Sequence, residues 1–386
     1  MSRGDPDFLA PLGEFLEKES PPERVREIDE RHEPPLDLLR RLGELGYLSV
    51  GLPNDHDGHG DAYDIVRLME ELGYHNLPLG HLVGRTMYAL QLLLDFGTPT
   101  QQERWIDPLR LGEIVFAVSL TEPDAGSDLA ALRTRAVADG EHYVIDGEKV
   151  FSSSMGYAGL AMVATRTNPT AKRHHGLTTF LVNPRSPGIQ PRRLDTLGDW
   201  GVGTYQVLYT DVRVHRDDIL GRVDAGWEVV TSHLVRERAV MAARAVGATR
   251  RLLDITATYL CEREQFGHPL ADFQVLQHKL ADMAIELRLA RDGLHLLAER
   301  MADGTAAPVD AAIVKTFASE MYVRAANHCM QMTGGFGYTR EFEAQRHVRD
   351  SRVYVVGGGS SEVMRNVIAR ELLRKPRARA GRTHGH

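Results

Sequence analysis

The chain has 386 residues, 42% of them hydrophobic, and a formal charge of −7; that length accommodates two or three domains with a sizeable core. The mild acidity argues against nucleic acid as the main partner, and two cysteines, Cys261 and Cys329, exclude a disulfide framework or a cysteine zinc site. No apolar run is long enough to span a bilayer, and the acidic N-terminus MSRGDPDFLAPLGEFLEKES shows no signal-peptide core, so the expected location is the cytoplasm.

From about Phe8 to Leu111 the period is helical. LLRRLGELGYLSVGL and DIVRLMEELGYHNLPLGHLVG place apolar residues three and four apart. The turn-rich GLPNDHDGHG lies within this region; His56 and His59 read as exposed loop polarity, and no metal site is expected. From about Ile114 to His215 the texture changes to short β-rich runs separated by Gly, Pro and Asp: EHYVIDGEKVFSSS, LAMVATRT, GLTTFLVNP and TYQVLYTDVRVH. From Gly226 onward long helices return. WEVVTSHLVRERAVMAARAVGATRRLLDITATYLCERE reads as one very long helix, FQVLQHKLADMAIELRLARDGLHLLAERMADG as a second, and DAAIVKTFASEMYVRAANHCMQMTGG as a third, ended by Gly334 and Gly335. The expected fold is therefore mainly α with a β domain. It comprises an N-terminal α-helical domain (1–113), a central β-barrel-like domain (114–222), a C-terminal four-helix bundle (223–374) and a solvated basic tail (375–386).

Three stretches carry candidate chemistry. In VSLTEPDAGSDLAALRT a strand ends near Thr121 and turns through Gly126-Ser127-Asp128, offering hydroxyls and free N–H groups. That pattern suits a polar heterocycle or a phosphate, and equally an Asx-type turn. In QMTGGFGYTREFEAQRHVRD, glycines end one helix and start another; the GGFG follows a helix, so it is not a dinucleotide fingerprint. In VYVVGGGSSEVMRNVIAREL, Gly357-Gly358-Gly359 precede a helix, but no Lys follows to make a P-loop.

TEPDAGSD, IDGEK (Ile145 to Lys149), REQFGHPLADFQ (Arg263 to Gln274), QMTGGFGYTREFEAQRHVRD and GGGSSEVMRNVIAREL occur in order and at matching separations. By these motifs the chain resembles the acyl-CoA dehydrogenase family over nearly its whole length. The resemblance implies FAD held between the β domain and the bundle, with the flavin taking a hydride from Cβ of an acyl-CoA thioester while a carboxylate removes a Cα proton. Electrons would pass to an electron-transferring flavoprotein, and the assembly would be a homotetramer, at least a dimer. The resemblance places Leu120, Thr121, Ser127, Phe151 and Ser153 at the flavin, with Phe151 standing where Trp is usual. Arg263, Phe266, Gln274, Gln331 and Gly335 match positions that reach a neighbouring subunit's FAD. Ser360 and Glu362 match the pair that follows the glycine loop. Ser127, Arg238 and Gly358 are the expected substrate contacts. Trp200 and Val202 depart from an Arg-x-Ser pair common in the family, and His215 replaces its Pro.

Many members carry the catalytic Glu in a Tyr-Glu-Gly-Thr loop; here that position is Gly358. The long helix offers a replacement. Val230, Leu234, Glu237 and Met241 are spaced four, three and four apart, so they share a face. Glu237 thus reads as a carboxylate in an apolar stripe with Arg238 directed elsewhere, and such a group is expected to have a raised pKa, as a general base needs. From the helix alone, a structural pairing with Arg244 or with another helix is the competing reading. The isovaleryl-CoA and long-chain types of the family draw their base from this helix in a Leu-x-x-Glu-Arg context, which Leu234 to Arg238 fits. The resemblance therefore implies Glu237 as base and Gly358 as an N–H donor to the thioester carbonyl. The alternative is a non-catalytic or FAD-poor subunit of a heteromeric dehydrogenase.

Overall fold

A computed structural model describes residues 9–383, with side chains through Arg374. In chain order the helices α1 (Ala10–Glu19), α2 (Pro22–Arg31), α3 (Leu36–Glu44), α4 (Ala62–His75), α5 (Leu77–Phe96) and α6 (Pro99–Arg110) come first. Eight strands follow: β1 (Phe116–Ser119), β2 (Arg135–Asp139), β3 (His142–Ser153), β4 (Leu160–Arg166), β5 (Leu177–Val182), β6 (Ile189–Arg193), β7 (Thr204–His215) and β8 (Ile219–Leu220). The chain then returns to helix with α7 (Gly226–Ser232) and α8 (Leu234–Glu262). A hairpin of β9 (Glu264–Gln265) and β10 (His268–Pro269) leads to α9 (Gln274–Ala302), α10 (Pro308–Gly337), α11 (Ala344–Val356) and α12 (Ser361–Thr383). The order is helical, β, helical. The basic stretch continues α12 as far as Thr383; its last three residues lie outside the described part.

Two compact units result. One consists of Glu23–Asp61 and Pro78–His233; the other takes the described residues up to Pro22, Ala62–Leu77 and the described residues from Leu234. In the first, the sheet runs β6-β7-β3-β2-β4-β5-β8, with β1 added parallel to β4. Strand β5 is buried at every position and β4 at all but its last, so both read as near-continuous apolar runs. A capping box (Thr98 and Gln101) starts α6, and the same Gln101 side chain donates to the carbonyls of Asp217 and Ile219, tying the helix to the β8 edge. In the second unit, α4 packs on α8 and α9, and α10 packs on α8, α9, α11 and α12. Small residues permit close helix contacts: a Cβ at Gly73 would lie 2.4 Å from the Arg244 carbonyl oxygen, and one at Gly247 would lie 1.9 Å from that of Glu70. Glu70 is 2% exposed, and Arg250, Arg291 and His295 surround it.

One helical expectation needs correction and another holds. The stretch from Trp227 to Glu262 is not one helix, because His233 leaves helical geometry (φ −106°, ψ 15°) and separates α7 from α8. Val230 therefore lies on a different helix from Glu237. The third helix does end at Gly334, as expected: that residue leaves helical geometry (φ 61°, ψ −137°), and a separate short helical piece runs on to Gly337 within α10. Only a residue without Cβ adopts that backbone readily.

Candidate active site

The β unit presents the end of β1. Beyond Ser119 the chain leaves the sheet, and Lys149 of β3 holds it. This lysine is 0% exposed; its ammonium donates to the Leu120 carbonyl at 2.9 Å and to Glu122 Oε1 at 2.8 Å. Glu122 also accepts from the N–H groups of Arg133 and Thr134, at 2.6 and 2.8 Å. Burial pushes Lys149 down to about 8, with Glu122 opposing the shift. Burial acts to raise Glu122, but the Lys149 charge and the surrounding donors outweigh it and hold the carboxyl below its ordinary range. The N–H of Val150 bonds the Thr121 carbonyl at 2.8 Å. The backbone at Leu120 and Thr121 is thus pinned from its carbonyl side. The half-buried Thr121 hydroxyl has no hydrogen bond among the described residues.

Strand β3 is irregular between Lys149 and Ser152. Phe151 occupies that irregularity with φ 58° and is 64% exposed, whereas Ser152 is buried and shares a hydrogen bond with Ser119, which also accepts from the Tyr209 hydroxyl. A bulge re-aims a side chain; here it turns a large aromatic outward in a backbone conformation that costs energy for a non-glycine residue. Ser153 closes the strand opposite Thr204, half-buried. Ser127 is exposed, beside the Asp128–Arg173 ion pair.

The helical unit presents the start of α8 and the glycine loop. Glu237 lies in the first turn of α8, where the helix dipole favours a carboxylate, and is half-buried. The apolar-stripe expectation is revised here. Arg238 is only 7% exposed, and Lys315 of α10 is fully buried. Burial pulls Lys315 down to about 8, Arg238 adds to the fall, and Glu237 opposes it. Burial likewise lowers Arg238 against the pull of Glu237. Glu237 therefore stands in the field of two cations. Arg238 does not escape to solvent, because α8 is packed on several sides, and its Nε has no partner among the described residues.

The loop after α11 has two glycines with positive φ, Gly358 (+61°) and Gly359 (+92°). A Cβ at Gly358 would sit 2.5 Å from Met241 Sδ, one turn beyond Glu237 on α8. The Gly358 N–H carries no hydrogen bond among the described residues. Gly357 N–H bonds the Val353 carbonyl, and the Ser360 hydroxyl accepts from Val363 N–H as the cap of α12. Glu362 lies exposed in the first turn of that helix.

A separate cleft of about 380 Å³ opens in the helical unit, lined by Tyr259, Arg263, Met332, Gly334, Gly335 and Phe336 among others. A Cβ at Gly334 or Gly335 would meet nothing within 4 Å, and the Arg263 guanidinium lies 5.8 Å from the Phe336 ring centre. Open glycine backbone beside a guanidinium and an aromatic ring fits part of a dinucleotide. Phe266 is 90% exposed at the tip of the β9–β10 hairpin, whose two central residues both have positive φ. Gln274 and Gln331 are exposed and do not line the cleft.

Of the expected site residues, the structure places Leu120, Thr121, Phe151 and Ser153 in one unit, Glu237, Arg238 and Gly358 in the other, and Arg263 with Gly335 in the cleft. Glu122, Lys149 and Lys315 were not anticipated from the sequence as site residues. The available signal was a lysine inside an otherwise apolar run, DAAIVKTFAS for Lys315. Among the described residues no group of three or more His, Cys, Asp or Glu side chains is placed to hold a metal, and no helix is long and apolar enough to cross a membrane.

A helical–β–helical chain with a pinned strand end, an outward aromatic and open glycine turns has the parts of a flavin-binding oxidoreductase. Three family models match it in succession: the acyl-CoA dehydrogenase N-terminal domain over residues 7–113, the middle domain over 117–212 and the C-terminal domain over 224–373. The probable acyl-CoA dehydrogenase YngJ of Bacillus subtilis is 34% identical over 94% of this chain and 96% of its own length. Human mitochondrial short-chain specific acyl-CoA dehydrogenase is 34% identical over 96% and 90%. The solved butyryl-CoA dehydrogenase of Megasphaera elsdenii superposes with a TM-score of 0.90 at 30% identity, covering 95% of this chain and 97% of that one. The chain belongs to the acyl-CoA dehydrogenase family. It is an FAD-dependent oxidoreductase acting on acyl-CoA.

Proposed function

We propose that the protein oxidises an acyl-CoA to the trans-2-enoyl-CoA, with Glu237 removing the Cα proton. The observation that carries this reading is the contact between loop and helix. Met241 fills the space a side chain at Gly358 would need, and Glu237 lies one turn earlier on the same helix. Gly358 itself carries no carboxylate, and in this reading α8 supplies the base. When bound, FAD supplies the acceptor for the Cβ hydride. Glu237 takes the Cα proton, the Cα–Cβ double bond forms, and the electron pair of the Cβ–H bond leaves with the hydride. The free Gly358 N–H donates to the thioester oxygen as charge builds there. Arg238 and Lys315 put positive charge beside that developing enolate.

Leu120, Thr121, Ser127, Phe151 and Ser153 hold the flavin ring in this reading. Arg263, Phe266, Gln274, Gln331 and Gly335 serve the FAD of a neighbouring subunit in a homotetramer, and Ser360 and Glu362 contact the cofactor after the loop. Ser127, Arg238 and Gly358 meet the substrate. An electron-transferring flavoprotein collects the electrons, in the cytoplasm. The test is anaerobic titration of the flavin-loaded protein with a panel of straight and branched acyl-CoAs. Bleaching of the flavin absorbance with formation of an enoyl-CoA is expected from at least one; no bleaching with any of them contradicts the proposal.

A further inference from the structure

Lys315 has no part in the reaction just described beyond its charge, yet its position is specific. It projects from α10, is 0% exposed, and its ammonium donates to the Gly359 carbonyl at 2.7 Å. Among the described residues it makes no other hydrogen bond or ion pair. Burying an ammonium for one backbone carbonyl is costly unless the contact serves something. Among the described residues, the loop it holds is otherwise tied only at its two ends, by the Gly357 N–H and by Ser360. Gly357, Gly358 and Gly359 carry no side chains, and two of them occupy the positive-φ region. The Gly359 carbonyl lies on the Gly359–Ser360 peptide, so this bond anchors the far end of the loop, and the Gly357 N–H bond to the Val353 carbonyl anchors the near end; the Gly357–Gly358 peptide, which carries the Gly358 N–H, is held between the two.

We propose that Lys315 is a positioning residue for the dehydrogenation: its bond to the Gly359 carbonyl holds the glycine loop so that the Gly358 N–H meets the thioester oxygen of the substrate. The inference rests on the acyl-thioester reading above. Lys315 touches neither substrate nor cofactor in this role; it acts through the loop. Glu237 and Arg238 of α8, Glu320 of α10 and Glu362 of α12 are the charged groups that bear on it. The positive-φ pair leaves the loop free to rotate once the strut is gone. The N–H would then point away for part of the time, weakening enolate stabilisation without removing the base.

The test uses the flavin-loaded full chain and a 3-oxoacyl-CoA. This thioester is already acidic at Cα, so its enolate forms on the enzyme without turnover and is read as a long-wavelength band against oxidised flavin. A thioether analogue lacking the carbonyl serves as the control ligand. In Lys315→Met the apparent ionisation of the bound 3-oxoacyl-CoA should become at least about tenfold less favourable, less than the roughly 10²- to 10³-fold that outright loss of an oxyanion donor costs, because the N–H is misdirected for only part of the time. Affinity for the thioether should stay within about twofold, and flavin content should be unchanged. Lys315→Arg, which keeps a donor, should recover part of the effect. A Lys315→Met protein that ionises the probe like the parent overturns the inference, as does one that loses thioether affinity or flavin in equal measure. Because the probe needs no base, a failure of Glu237 as base leaves this reading intact. A parent protein that never shows the band overturns the acyl-thioester reading together with this one.

Discussion

Two buried lysines each tie down a loop, and they do so under opposite electrostatic conditions. Lys149 in the β unit bonds the Leu120 carbonyl and has Glu122 at 2.8 Å, itself satisfied by two backbone N–H groups. Lys315 in the helical unit bonds the Gly359 carbonyl with no hydrogen-bonded carboxylate, and its charged neighbours include Arg238 as well as Glu237. Both lysines are drawn to about 8 by burial. The first arrangement is a closed network that fixes a strand end. The second leaves positive charge next to a glycine loop with an unused N–H, which is what stabilisation of an enolate requires. Lys149 is paired within a network that serves the fold; Lys315 spends its one hydrogen bond on the glycine loop.

That contrast can be broken by substitution. The largest stability effect is expected for Lys149→Met, which strands a buried carboxylate: a loss of about 3–5 kcal/mol, seen in chemical denaturation together with release of flavin. Gly358→Ala should cost about 1–3 kcal/mol, because it puts a Cβ into the positive-φ region and against Met241. By the same clash, Gly358→Glu should fail to restore turnover to a Glu237→Gln protein in a steady-state assay. Lys315→Met removes one hydrogen bond without stranding a carboxylate bonded to it, and should cost only about 1 kcal/mol by denaturation. Phe151→Ala, at an exposed site, should change stability by less than about 0.5 kcal/mol while loosening flavin retention, measured by dialysis.

The pH dependence sharpens the same comparison. Lys149 releases its proton near 8 in the folded chain, against a reference of 10.5. Between those values the unfolded chain binds more protons, so this group's contribution to stability rises with pH and is least favourable below about 8. The stability difference between the parent and Lys149→Met should widen from pH 7 to pH 10 in denaturation curves.

The β segment was the most legible part of the sequence. The long strands β3, β4, β5 and β7 follow the four apolar runs that punctuation by Gly and Pro sets apart. The short β2, β6 and β8 escaped notice, since RAVAD, IQPRR and IL are too brief or too polar to show a period. The β9–β10 hairpin was also hidden: Phe266 occupies a positive-φ turn position where Asn or Gly is the usual signal. The break at His233 left no Gly or Pro mark, so α7 and α8 read as one helix. In the site, Glu237 and Gly358 drew attention because the family resemblance expects a carboxylate at the loop position that Gly358 occupies and another in the Leu-x-x-Glu-Arg context of α8. Lys315 and Arg238 were not placed beside Glu237, because helix periodicity reports neighbours on the same helix and says nothing of what another helix brings against it.

The central claim is that the base has moved from the loop to Glu237. Single-turnover reduction of the flavin by a saturating acyl-CoA, compared between the parent and Glu237→Gln, tests it most directly. Loss of the general base should slow the bleaching by about 10²- to 10⁴-fold, with flavin content and thermal stability retained. Bleaching in Glu237→Gln at a rate within a few-fold of the parent contradicts the account.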